Sequence, residues 1–305
     1  MGTPVFAVPA LQALIQAGYP VAMVVTQPDR PVGRGRKILF SEVKQIATEM
    51  GLPVYQPENL KTADSWGRIR DARPDVMVVV AYGQLLPSVL LRMPPWGCLN
   101  IHASLLPRYR GPAPIQRAVI NREPETGVTI MKMDSGLDTG DILYSRSTPI
   151  LPEDTAATLH DRLASMGADL LLHTLENLES VYTKATPQDD ALATYAPMLT
   201  KADGRIDWSK PADDIDALIR GTQPWPGAYT FVGGRRLKVF RGRIVPRPAG
   251  GPPGSVLPSP TEELWIATGS GILSLVEVQP ESGRRMSITD FLKGRPVQTG
   301  SILSE

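Results

Sequence analysis

Three short apolar runs stand out in the first third of the chain: PVAMVVTQ (residues 20–27), DVMVVVAYG (75–83) and GCLNIHA (97–103). Rich in Val and Ile and closed by turn residues, they predict buried strands. Before and between them, FAVPALQALIQAGY and SEVKQIATEMGL carry apolar positions at helical spacing. Both stop at a glycine, Gly18 and Gly51, the residue type that takes the positive dihedral of a helix C-terminus. Strand and helix in alternation predict an α/β domain with a parallel sheet covered on both faces. In such sheets ligands sit beyond the carboxyl ends of the strands, and the segment NIHASLLP falls at one of those ends.

Farther along, ETGVTIMKMD (125–134) and TGDILYSRSTPI (139–150) alternate more openly and predict a hairpin-like pair separated by SGLD. A long helix is predicted from about residue 153 to about residue 180, with Asp154 and Thr155 as capping candidates. Residues 184–203 are polar, contain Pro187 and Pro197 and show no period. They read as a linker between a first domain, 1–183, and a second, 204–305. The second domain opens with a short helix ended by Gly221 and continues through GGRRLKVFRGRIV, PGSVLP and ELWIATGSGILSLVEVQ to a helix-like MSITDFL. Short strands joined by Gly and Pro turns predict a small β-barrel. The chain begins MGTP, which reads as the turn after a strand, so the expectation is that Met1 is an internal methionine and the first strand is missing.

Composition narrows the function classes. The chain of 305 residues is 42% hydrophobic and 21% charged, with a net charge of +1. These are ordinary values for a globular protein large enough for two domains. One cysteine, Cys98, rules out an internal disulfide framework, and three scattered histidines give no metal-ligating cluster. No apolar run approaches the roughly 20 residues that span a bilayer, and no signal segment opens the chain. A cytoplasmic protein with no membrane association and no metal is expected.

The strand end holds the most informative chemistry. Side chains alternate along a strand, so Asn100 and His102 point to one side and Ile101 to the other. An amide and an imidazole can together bind an oxyanion and handle a proton. Downstream, DSGLDTGD offers Asp134, Asp138 and Asp141 around two glycines, a loop able to aim one carboxylate at the imidazole. Attack on a carbonyl through a tetrahedral intermediate is the chemistry implied. Cys98 shares the strand face and could serve as a nucleophile, but its apolar setting fits an inert buried thiol better. Ser104 lacks a G-x-S-x-G elbow. Transfer to an amine on the substrate needs no enzyme nucleophile. The plain alternative is a hydrogen-bonded boundary histidine beside an ordinary Asp-Gly turn. His160 and His173 fall within a helix and are assigned no chemistry.

NIHASLLPRYRGPAPIQ followed by ETGVTIMKMDSGLDTGDIL resembles the signature of enzymes that use 10-formyltetrahydrofolate: Asn-x-His, then Ser-Leu-Leu-Pro, then an Asp in a Gly-rich loop. GTPVFAVPAL, TQPDRPVGRGRKILFSEVK, DVMVVVAYGQLLP, YAPMLTKADGRIDWSKPA and QPWPGAY narrow the resemblance to the methionyl-tRNA formyltransferase family, over essentially the whole chain. The resemblance implies a Rossmann-like N-terminal domain and an OB-like C-terminal barrel. It implies that Asn100, His102 and Asp138 are catalytic and that Ser104, Leu105, Leu106 and Pro107 line the folate site. It further implies formyl transfer to methionyl initiator tRNA, with no obligate protein partner; a monomer is the expected state.

With that resemblance in hand, local charge becomes informative. Residues 217–261 hold seven basic residues, including Arg235, Arg236, Lys238, Arg241 and Arg243, and no Asp or Glu. From residue 195 onward 14 Lys+Arg minus 11 Asp+Glu gives +3, against 18 minus 20, or −2, before it. Such an excess on a barrel suits a phosphate-contacting face, or simply a solvated one. A second basic stretch, PVGRGRK, contains Arg34, Arg36 and Lys37, which the resemblance assigns to the acceptor end of the tRNA. Three rivals remain open: formylation of a small amine such as a sugar nucleotide or glycinamide ribonucleotide, a dinucleotide-dependent oxidoreductase, and a catalytically silent RNA-binding module. The oxidoreductase is disfavoured because no G-x-G-x-x-G follows an early strand.

Overall fold

The Val-rich runs form strands in the computed structural model, which describes residues 1–32, 37–259 and 262–303. Two units result: Met1–Pro114 with Glu125–Pro149 and His160–Ala196, and Ile115–Pro124 with Ile150–Leu159 and Pro197–Glu305. Chain order gives α1 (Val8–Gln16), β1 (Val24–Val25), β2 (Arg30–Val32), β3 (Lys37–Leu39), α2 (Glu42–Glu49), β4 (Val54–Tyr55), α3 (Ala63–Asp71) and β5 (Met77–Val79). There follow α4 (Ser88–Leu91), β6 (Cys98–His102), α5 (Pro114–Ile120), β7 (Glu125–Lys132), β8 (Ile142–Pro149), α6 (Ala156–Glu176) and α7 (Leu178–Thr183).

β1 pairs with β4 and β5 with β6, both in parallel. β7 and β8 then continue from β6 in antiparallel fashion, so the parallel region carries the expected hairpin-like pair on its edge. Met1 and Gly2 lie between β1 and β5: the Gly2 N–H donates to Val25 O at 3.0 Å and the Val80 N–H to Met1 O at 2.8 Å. Beside them opens an apolar cavity of about 520 Å³, lined among others by Leu11, Val24, Met77, Trp96 and Leu178. β4 and α3 are absent from the sequence reading. VY is too short for alternation to register, and α3 buries only Ile69.

The long helix starts later than expected, because Thr155 caps its first turn while Asp154 closes the turn before it. Asp154 Oδ2 accepts the Leu151 N–H at 2.7 Å, and Thr155 Oγ1 accepts the Thr158 N–H at 3.2 Å. It also ends earlier, at Asn177, where φ is −116° and the side-chain amide donates to the His173 carbonyl at 2.9 Å. Asn competes with the helical ladder in this way, and α7 resumes beyond the break.

In the second unit, α8 (Ala212–Gly221) precedes β9 (Ala228–Val232), β10 (Arg235–Val245), β11 (Val256–Leu257), β12 (Leu264–Ala267), β13 (Ile272–Pro280), β14 (Met286–Ser287) and α9 (Ile288–Gly294). The strands form one antiparallel sheet in the order β11-β12-β13-β10-β9, with β14 added to β13. Register irregularities around Arg241 in β10 curl it, as bulges do. Ile215 and Ile219, four apart on α8, pack with Trp208, Leu237, Leu273 and Phe291 in its core.

What fixes the first unit's central strand is a close helix approach. A Cβ on Gly167 of α6 would sit 2.8 Å from Ile101 Cγ2, closer than side-chain carbons pack, and 3.5 Å from Val128 Cγ1, so a glycine here lets α6 lie this near β6. Gly167→Leu is expected to destabilise the protein by about 1–3 kcal/mol through overpacking. Urea unfolding checks this; an unchanged midpoint would contradict the close approach.

Candidate active site

β6 sets the site's geometry through its alternation. Leu99 and Ile101 are buried, Ile101 against Gly167, which turns Asn100 and His102 to the opposite side of the sheet. Both then meet Asp138, from the loop after β7. Asn100 Nδ2 lies 3.5 Å from Asp138 Oδ1, and His102 Nδ1 lies 3.7 Å from Asp138 Oδ2. The sequence-derived trio is thus brought together, with side chains only 7% exposed for His102 and 14% for Asp138. At such burial their mutual field is screened far less than that of a surface pair.

Two backbone groups complete the arrangement, and sequence reasoning identified neither. The Gly111 N–H donates to Asp138 Oδ2 at 2.8 Å. His102 Nε2 faces the Tyr109 carbonyl at 2.9 Å, and since a carbonyl only accepts, that nitrogen carries the proton. A second proton on Nδ1 would face Asp138. Tyr109, at φ +60°, and Asp138, at φ +54°, both sit in the left-handed region, which costs a non-glycine residue of order 1–3 kcal/mol and persists where neighbours over-determine it. The arrangement can donate a hydrogen bond to an oxyanion from the Asn100 amide and take up or release a proton at His102 Nδ1, with Asp138 beside it.

The other candidates are placed as follows. Ser104 Oγ donates to the Arg108 carbonyl at 2.7 Å, and the Leu106 N–H donates to Thr129 Oγ1 at 3.2 Å. Thr129 Oγ1 in turn donates to the Ser104 carbonyl at 2.7 Å, so the Ser104–Pro107 turn is fastened to β7. Ser104 and Leu106 point inward, while Leu105 and Pro107 stay partly open. Asp134 accepts from Gly136 N–H and Thr139 Oγ1 and serves its own turn. Cys98 is fully buried with its thiol toward the Leu90 carbonyl, and burial pushes its pKa up to about 12, which agrees with an inert packing role.

Of the basic candidates, Arg34 and Arg36 lie outside the described residues. Lys37 opens β3, which pairs with β2. At the root of that hairpin Lys44 forms an ion pair with Asp29. The Lys44 ammonium and the Gln56 amide hold the Asp29 carboxyl below the usual carboxylate range. On β10, Leu237 and Val239 are buried while Arg236 and Lys238 face the other way. Opposite them on β9 stand Phe231 and Tyr229, and the Arg236 guanidinium lies 5.7 Å over the Tyr229 ring. Arg235 is exposed. Farther along β10 the charge is partly balanced: Arg243 pairs with Glu263 at 2.7 Å, and Arg241 stands opposite Glu277. Among the described residues no group of three or more His, Cys, Asp or Glu could hold a metal, and no helix is long and apolar enough to cross a membrane.

Known proteins resemble this chain along nearly its whole length. A family model described as formyl transferase matches residues 1–175, and one described as formyl transferase, C-terminal domain, matches residues 198–296. The methionyl-tRNA formyltransferase of Syntrophus aciditrophicus (strain SB) is 48% identical over 303 residues, covering 99% of this chain and 97% of that protein. That of Caldanaerobacter subterraneus subsp. tengcongensis is 49% identical over 304 residues, covering 99% and 98%. The chain belongs to the methionyl-tRNA formyltransferase family. More distantly, the fold is shared with an N-formyltransferase from Helicobacter canadensis in complex with folinic acid and dTDP-3-aminofucose, at TM-score 0.64 and 18% identity over 93% of this chain and 97% of that one. It is shared too with HypX from Aquifex aeolicus in complex with tetrahydrofolic acid, at TM-score 0.58 and 21% identity over 85% and 47%. Iodoacetamide should leave Cys98 unmodified in the folded protein and add one adduct in denaturant, read by intact mass; rapid labelling of the native state would show the thiol to be open.

Proposed function

We propose that the protein transfers the formyl group of 10-formyltetrahydrofolate to the α-amino group of methionine esterified to initiator tRNA, the step that yields N-formylmethionyl-tRNA for translation initiation. The observation that carries the chemistry is the meeting of Asn100, His102 and Asp138 at the end of β6. In this reading the amine attacks the formyl carbon, Asn100 Nδ2 donates to the oxygen as negative charge develops, and a protonated His102, its two N–H groups turned to Tyr109 and Asp138, stabilises that charge by its own positive charge. Donors aimed in advance act mainly on the transition state, where that charge is greatest. Asp138 orients His102 and assists as the proton lost by the amine reaches N10, the atom that departs with the folate when its bond to the formyl carbon breaks. The partly open side chains of Leu105 and Pro107, with the backbone of the Ser104–Pro107 turn, would border the folate. No metal is needed for these steps, because hydrogen-bond donors supply the charge stabilisation.

For the tRNA, we assign the curled sheet of residues 204–305 to an OB-like barrel whose β9–β10 surface contacts phosphates. Arg235, Arg236 and Lys238 supply the charge there, and Tyr229 and Phe231 supply ring faces on which a nucleotide or ribose can rest. Arg241 and Arg243 extend this surface with acidic neighbours beside them. Arg34, Arg36 and Lys37 are the candidates for the acceptor end.

Two measurements test this reading. Labelled formyl should pass rapidly to methionyl initiator tRNA, and far less to methionyl elongator tRNA or free methionine. His102→Ala should lose about two to three orders of magnitude in kcat while tRNA affinity holds. Transfer to a small amine with none to any tRNA would keep the folate chemistry and overturn the acceptor. Replacing Arg236 and Lys238 with Ala should weaken tRNA binding and reduce its log–log salt slope by about two; an unchanged slope would remove the β10 face from the interface.

A further inference from the structure

The segment from Thr186 to Ala196 runs alongside the two loops that meet at Asp138. Thr186 exchanges both backbone hydrogen bonds with Ile142 at 2.8 and 2.9 Å. Thr194 Oγ1 accepts the Tyr109 N–H at 2.8 Å, and Arg110 exchanges backbone bonds with Thr194 and Ala196 at 2.9 and 2.7 Å. Between these anchors, Gln188 Nε2 donates to the carbonyls of Asp138 and Gly140, at 2.8 and 2.7 Å. Gln188 Oε1 accepts from Arg110 Nε at 3.0 Å, and Arg110 Nη2 is paired with Asp190 at 2.8 Å. The amide is therefore fixed one way round: its nitrogen can only face the carbonyls and its oxygen only the guanidinium.

This placement bears on the site directly. Asp138 is held at φ +54° with its carboxylate on the Gly111 N–H, and Gln188 holds its main-chain carbonyl while Arg110, the residue before Gly111, holds Gln188. We propose that Gln188, braced by Arg110, is a positioning residue for formyl transfer that sets the aim of the Asp138 carboxylate at His102. The inference rests on the role given to Asp138 above. Gln188 touches no reacting atom. It acts by fixing where Asp138 stands, and a displacement of about 1 Å in such a group costs up to about a hundredfold in rate.

Gln188→Glu places two acceptors against two carbonyls, and Gln188→Met keeps the length while removing every hydrogen bond. Arg110→Met loosens the same amide from the far side and serves if either Gln188 variant fails to fold. In formyl transfer to methionyl initiator tRNA, Gln188→Met and Gln188→Glu should lower kcat about 10- to 100-fold with KM for both substrates unchanged, and Arg110→Met should do so more mildly. In an Asp138→Ala background the same substitutions should cost nothing further, because the carboxylate they aim is gone. A loss of equal size in both backgrounds, or a rise in KM alone, would mean a general structural role and overturn the inference. Wild-type kcat in Gln188→Met beside a crippled Asp138→Ala would overturn it while leaving the reaction intact. Wild-type kcat in Asp138→Ala would overturn the role of Asp138 and the inference together.

Discussion

The carboxylate of Asp138 accepts the Gly111 N–H at 2.8 Å, and through that bond the loop after β6 and the loop after β7 are held against each other. A carboxylate this enclosed is costly to remove from water unless its oxygens find donors. It finds the Gly111 amide on one oxygen and the Asn100 amide near the other, with His102 close by. The strained backbone at Asp138 and Tyr109 is tolerated for the same reason: loosening either residue would leave a buried acceptor or donor without a partner. The bonds that satisfy the carboxylate are therefore the bonds that fix the site.

Behind this junction, β6 has little freedom. β5 and β7 pair with it on either side, Leu99 and Ile101 are buried, and α6 presses on Ile101 through the gap left by Gly167. Packing at interior density transmits displacement, so a shift of the helix reaches Asn100 and His102 through the strand between them. Electrostatic stabilisation of a developing oxyanion depends on donors that need not reorganise during the reaction. A strand clamped on both edges and packed from behind would meet that requirement for the groups proposed at Asn100 and His102, in a way a surface loop would not.

The legible parts of the sequence were those in which one residue type has one physical use. Val-rich runs marked β1 and β5, a short apolar run closed by turn residues marked β6, Gly18 and Gly51 marked helix ends at φ +77° and +68°, and alternation alone put Asn100 and His102 on one side. Three carboxylates in DSGLDTGD could not be ranked from spacing. Asp138 stands apart because Asn100, His102 and the Gly111 amide, 27 positions earlier, all reach its carboxylate. The stretch read as a linker has no apolar period because residues 186–196 are held by hydrogen bonds from Gln188, Thr194 and the backbone. Long-range polar contacts leave no periodic trace, so a tightly fastened segment and a loose one can read alike.

Charge follows the same logic along β10. Counted in sequence, the strand is uniformly basic, yet neighbouring strands grade it. Glu263 on the β12 side takes Arg243, and its own carboxyl is held below the usual range by the Trp265 indole N–H, Ser274 and Arg243. Glu277 of β13 is held low by Arg285, at 2.6 Å, and stands opposite Arg241. Positive charge is balanced toward that end and concentrated where Arg235, Arg236 and Lys238 adjoin the β9 aromatics. A polyanion meeting such a surface gains most at one end of the strand, which gives the contact a direction as well as a strength. If the proposed phosphate contacts form there, they would set register and orientation without reading bases. An enzyme that must present one amine to one carbonyl needs that orientation more than it needs affinity.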